Sequence, residues 1–164
     1  MADRKPSATA RRRAARLHAV QALYNIDRTG QSADSVLGEF VRFRLGEDVD
    51  GDRYVDPDRP LFAAIVRGVV AREGDLNLII DGALDKGMTT QRLELLLRLI
   101  LRAGTWELLV SPDVAARIVI ADYVDLAHAF YAGKEPAITN AVLDRIARVL
   151  RPDELGTAAE GAAN

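Results

Sequence analysis

RLELLLRLILRAGTWELL, residues 92–109, is the stretch on which the fold turns. At about 100° per residue, its apolar positions cover almost the whole circumference of a helix. Glu94, Arg98 and Arg102, four residues apart, draw a thin polar line along it. A helix that is apolar nearly all round must be covered by other helices, so this one is predicted to stand in the middle of a bundle. Its arginines argue against a membrane span, because they could not be left in lipid. Thr89 or Thr90 is read as its cap.

The same periodicity recurs on both sides, and strand alternation is almost absent. On the C-terminal side, Ser111-Pro112 opens VAARIVIADYVDLAHAFYAG (114–133), which Gly133 closes. Pro136 opens the last helix, with Ile138, Val142, Ile146 and Val149 on its inner face. On the N-terminal side, Pro60 opens one long helix through Leu61, Ile65, Val69, Leu76, Ile79 and Ile80, ended by Lys86-Gly87. Ser32 caps a helix that carries Val36, Leu37, Phe40, Val41 and Phe43. The first helix runs from about Arg11 to Arg28 and stops at Thr29-Gly30. Six or seven helices result, in one compact all-α domain over residues 11–152 with no internal boundary. Residues 1–10 are expected to be a disordered basic arm and 153–164 a disordered tail.

A chain of 164 residues can bury a sizeable core unaided. With no cysteine it has neither disulfides nor thiolate metal sites. MADRKPSATA lacks the apolar core of a secretory signal, so a cytoplasmic protein is the expectation. The net charge of −2 hides an asymmetry. Residues 1–16 hold Arg4, Lys5, Arg11, Arg12, Arg13 and Arg16 against the single acid Asp3, while the rest of the chain is acidic. Basic charge packed into one short arm is the pattern of a segment that meets polyanions.

Other chemistry is poorly supported. Asp48, Asp50 and Asp52 alternate like a calcium loop, but the glycine falls at the fourth position and Arg59 stands at the twelfth. His18 and His128 have no partner ligands in the sequence, and His18 is read as a surface residue. Asp122 and Asp125 share a helix, yet no nucleophile or phosphate loop accompanies them. No metal, no cofactor and no catalysis are expected. RRRAARLHAVQALY (11–24) is different. Arg11, His18, Gln21, Asn25 and Arg28 form a polar stripe, with Tyr24 at its edge. Cations at a helix N-terminus oppose the macrodipole, which points to a purpose outside the fold. Guanidinium forks match phosphate oxygens, although a clip to the acidic body is the plainer alternative.

Three blocks in register resemble the NusB family of bacterial antitermination factors: RRRAARLHAVQALY, LRAGTWELL (101–109) and ITNAVLDRIARVLR (138–151). The resemblance covers residues from about Arg11 to Pro152. It implies a fold of two small helical subdomains and no catalysis. It also implies binding of boxA, a short single-stranded element of nascent ribosomal RNA transcripts. The partner it implies is NusE, a ribosomal small-subunit protein, within an antitermination complex on RNA polymerase and with a bearing on ribosome biogenesis. The same domain heads some RNA cytosine methyltransferases, whose catalytic domain would begin where this chain ends.

Carried over residue by residue, Arg12, Arg13 and Arg16 fall in the arginine-rich RNA-binding segment, with Arg11 beside them as a further RNA-binding candidate, and Gln21 and Tyr24 fall on the same RNA-facing helix. Arg102 matches the arginine after the leucine run; Asn140 and Asp144 match the last block. Ile138 stands where many members carry a phenylalanine that can touch RNA, and Lys134 where some carry an acid. Ala141 replaces a glycine, and Ala121 and Asp122 replace the Asn-Glu of an Ile-Asn-Glu segment. Two alternatives follow. One is a helical protein-interaction module whose RNA specificity has weakened or lapsed. The other is a homodimer that hides the RNA surface, packed through the small residues Ala15, Ala19 and Ala22.

Overall fold

The structure is a computed structural model and describes residues 5–43 and 55–155. Every regular element among them is helical: α1 (Ala8–Thr29), α2 (Ala33–Phe43), α3 (Arg59–Ala71), α4 (Glu73–Ala83), α5 (Leu95–Val110), α6 (Ala116–Phe130), α7 (Glu135–Leu150) and the short α8 (Pro152–Leu155). A 3-10 turn spans Thr90–Arg92. The all-α expectation holds, with a slightly higher helix count. The chain divides into two compact units, Met1–Val70 and Ala71–Asn164, where hydropathy alone suggested no boundary.

In the first unit, α1 begins three residues earlier than its charge pattern suggests. The Ser7 hydroxyl accepts a hydrogen bond from the Ala10 N–H at 3.1 Å, so residues 8–10 are helical rather than part of a loose arm. The helix stops at Gly30, whose φ of +74° suits glycine and whose N–H reaches the Ile26 carbonyl at 3.0 Å. Ser32 caps α2 through the Ser35 N–H. Ala15, Ala19, Val20, Ala22 and Leu23 of α1 are buried, as are Val36, Leu37 and Phe40 of α2 and Phe62, Ile65, Val66 and Val69 of α3. Phe40 lies against Phe62 at 5.6 Å between centroids and meets His18 edge-on at 6.4 Å. His18 is thus half-buried, not a surface residue. Asp58 ends the acidic stretch by capping α3 at the Leu61 N–H. Asp48, Asp50 and Asp52 lie outside the described residues.

The second unit is built around α5, which packs against α4, α6 and α7 and buries residues on all sides. Its cap is Glu94, which accepts from the Leu97 N–H, and not Thr89 or Thr90. Thr90 belongs to the 3-10 turn, where it is tied to Asp81 and to the Asn77 carbonyl. Gly104 lets α6 and α7 close in: a Cβ there would stand 2.9 Å from a Leu143 methyl and 3.3 Å from the Tyr123 ring. Fully buried Glu107 accepts from the Tyr123 hydroxyl at 2.6 Å.

Two sequence expectations fail here for local reasons. The run from Pro60 to Ile80 is two helices, because Arg72 leaves helical geometry at φ −121°, ψ 23°. Glu73 and Asp75 then occupy the first turn of α4, where the helix dipole favours acids. On α7 the buried face is Thr139, Val142, Leu143 and Ile146; Val149 is 79% exposed. No helix among the described residues is long and apolar enough to cross a membrane.

Candidate nucleic-acid interface

Because α1 starts at Ala8, the arginine triplet sits past its first turn, where the macrodipole penalty is already fading. The four arginines then part company. Arg11 turns back on the chain: its guanidinium donates to the Asp56 carbonyl at 3.2 Å and the Pro57 carbonyl at 3.5 Å, and it lies 4.0 Å from the Asp56 carboxylate. The Asp58 N–H donates to the Arg11 carbonyl at 3.0 Å. Arg11 is the clip to the acidic stretch. Arg16 is 1% exposed and engaged within the chain. With Ala19, Val20 and Leu23 it completes the i, i+3, i+4, i+7 face that the fold buries, so its guanidinium is not offered to a phosphate.

Arg12 and Arg13 are exposed, as is Arg11 despite its contacts. Arg12 makes no hydrogen bond or ion pair among the described residues. Arg13, Leu17, Gln21, Tyr24 and Arg28 fall within about 80° of arc at 100° per residue, a continuous stripe roughly 22 Å long. Along it Gln21 is half-buried and Tyr24 is 36% exposed. The guanidinium of Arg28 lies 5.9 Å from the centroid of the Tyr24 ring. No family block contains Arg28; its spacing of four from Tyr24 was the available signal.

The candidates in the second unit do not form one cluster. Arg102 is 6% exposed, donates to Asn77 Oδ1 at 2.8 Å and pairs with Glu73 at 3.2 Å. It fastens α5 to the start of α4 instead of facing solvent. Exposed Lys134 precedes α7 and, with half-buried Ile138, lines a groove shared with Leu84, Met88, Ala141 and Arg145. Asn140 lies about 200° around the helix from Ile138 and lines another groove, with Ala121, Arg117, Asp125, Asp144 and Arg148. Asp144 is held by Arg148 at 2.9 Å.

Arg151 carries a role that motif reading missed. It is buried and donates to the carbonyls of Glu107, Leu108, Ser111 and Val114, which satisfies the C-terminal end of α5. It also pairs with Glu154 at 3.1 Å. Glu154 accepts from the Ala116 N–H at the start of α6, and this bond, aided by Arg151, holds its carboxyl below the ordinary value of 4.5. Among the described residues no three His, Cys, Asp or Glu side chains form a metal-holding group. Asp122 is buried and Asp125 exposed, so the pair does not share a site. Ala15, Ala19 and Ala22 are fully buried within the chain, which removes the motive for a homodimer packed through them.

Exposed cations and an aromatic ring on a helix surface, rather than in a cleft, define the class: an all-helical protein with a cationic helical face. Comparison with known proteins narrows the class to one family. The profile of the NusB family matches residues 13–148. The transcription antitermination protein NusB of Bradyrhizobium sp. (strain BTAi1) is 45% identical over 154 residues, 94% of this chain and 89% of its own length. The structure of T. maritima NusB superposes with a TM-score of 0.71 at 25% identity, covering 88% of this chain and 95% of that one. A second structure, of antitermination factors NusB and NusE in complex with dsRNA, gives 0.69 at 25% identity over 84% of this chain and 96% of that one. The chain belongs to the NusB family.

Proposed function

We infer that this chain is an RNA-binding transcription antitermination factor. In this reading it binds a boxA-type single-stranded element in nascent ribosomal RNA together with NusE, within the antitermination complex on RNA polymerase. The observation that carries the reading is the exposed face of α1. Arg12 offers a donor fork that matches phosphate oxygens, Arg13 lies exposed beside it, and Tyr24 offers a ring on which a base can stack, an interaction worth about 1–3 kcal/mol. Gln21 supplies an amide for base edges or sugar hydroxyls. The NusB–NusE structure with RNA and the antitermination name of the Bradyrhizobium relative support the partners. Lys134, Ile138 and Asn140 are candidate contacts of the second unit. Arg11, Arg16 and Arg102 are assigned to holding the fold. The reading needs no cofactor and no chemical step.

The test is fluorescence anisotropy with a boxA-type RNA, its scrambled control and a duplex form, each with and without NusE. A preference for boxA that NusE strengthens is the expected result. A second reading, a protein-interaction module with weakened RNA specificity, is favoured by Ile138 and Ala121, which replace a stacking ring and a hydrogen-bonding side chain. NusE binding without any preference among the three RNAs would select it.

A further inference from the structure

The last turn of α1 carries a cation that the RNA-binding reading has not used. Arg28 is exposed and makes no hydrogen bond or ion pair among the described residues. Its contact is the Tyr24 ring, 5.9 Å from guanidinium carbon to centroid. A cation near a helix C-terminus complements the macrodipole, but that effect needs no aromatic neighbour. A guanidinium over a ring face is attracted by the ring quadrupole while its five N–H donors stay available. The pair therefore presents a planar donor fork beside an aromatic surface. A nucleotide of single-stranded RNA asks for that combination: a stack for the base and a fork for the phosphate. Asp27, the exposed acid next to Arg28 in sequence, lies about 100° around the helix from Arg28 and about 60° from Tyr24, and makes no ion pair with Arg28 among the described residues.

We propose that Arg28 and Tyr24 form a nucleotide-binding subsite at the C-terminal end of α1, so that bound RNA runs along the helix from Arg13 to Arg28 instead of ending at the arginine triplet. The subsite rests on the RNA-binding reading above. Arg28 donates to a phosphate, and the base stacks on the exposed part of Tyr24. The axial distance from Arg13, fifteen residues at 1.5 Å, is about 22 Å.

The experiment is the salt dependence of affinity for the boxA-type RNA, measured for the full chain and for Arg28→Ala, Arg28→Lys and Arg13→Ala. NusE binding is measured separately without RNA. Loss of one phosphate contact on a single strand lowers the slope of log K against log salt by about 0.7. Arg28→Ala is expected to show that loss with an unchanged circular dichroism spectrum. Arg28→Lys is expected to keep the slope and bind more weakly, because a lysine does not stack on the ring. The proposal is overturned if Arg28→Ala matches wild type while Arg13→Ala loses slope; the RNA-binding reading then stands without this subsite. It is equally overturned if Arg28→Ala weakens NusE binding and leaves RNA affinity intact. Failure of the wild-type chain to bind RNA at all would sink the reading and the subsite together.

Discussion

Arginine does opposite jobs in this chain, and burial separates them. Arg12 is exposed and pairs with none of the described residues, whereas Arg16 is 1% exposed on the face that α1 buries. Replacing Arg16 by alanine should cost about 1.5–3 kcal/mol in chemical denaturation, the range for hydrogen bonds to charged groups. Arg12→Ala should stay within about 0.5 kcal/mol of wild type and lose RNA affinity instead. The reverse ranking would place the binding cation at Arg16. Residue type alone could not make this distinction, since the same fork serves a phosphate or an internal acceptor. The pattern Arg16, Ala19, Val20, Leu23 was the legible clue, masked by the neighbouring arginines. Glu154 adds a pH dependence. Its folded pKa lies below 4.5, chiefly through the Ala116 N–H, so folding favours the carboxylate. That stabilisation is full above the unfolded value and is lost as pH falls through the lowered folded one. Glu154→Gln should therefore flatten part of the decline in stability as pH falls below the ordinary value of 4.5.

Element ends follow caps, and the caps that are single residue types were readable. Gly30 stops α1 and Ser32 starts α2 as expected. The break at Arg72 was not read, because the apolar period runs on through it from Val69 to Leu76. The acids Glu73 and Asp75 were the signal for a new N-terminus. The cap of α5 was misplaced because a threonine competes with glutamate as a capping signal, and here Thr90 is engaged by Asp81. The Arg151 cap was beyond sequence reading, since its acceptors lie some forty residues back. Two variants test these contacts. Gly104→Ala should destabilise by about 1–3 kcal/mol, because its Cβ would press on Leu143 and Tyr123. Arg151→Ala should cost about 1–3 kcal/mol, chiefly for the Leu108 carbonyl, whose i+4 residue is Pro112, since the Glu107 and Ser111 carbonyls keep the Ser111 and Val114 N–H groups; a near-neutral result in urea denaturation would contradict the capping role.

At the scale of the whole molecule, the all-round apolar helix foretold a bundle, and α5 is the centre of one. Ile100→Ala should cost roughly 2–5 kcal/mol, as for a fully buried side chain. The division into two units was not legible from hydropathy, because no change of composition marks Val70–Ala71; it entered through the family resemblance. The site was legible as a helix and not as a set of side chains. Of ten candidate residues, the structure leaves Arg12, Arg13 and Tyr24 exposed on α1, turns Arg11, Arg16 and Arg102 to the fold, and places Ile138 and Asn140 in different grooves. The central claim is that exposed guanidinium groups of α1 hold RNA phosphates. Its most direct measurement is the salt slope of RNA affinity for the Arg12→Ala/Arg13→Ala double variant beside wild type. The expected result is a slope reduced by about 1.4, two phosphate contacts on a single strand, with an intact circular dichroism spectrum. An unchanged slope and affinity would contradict it.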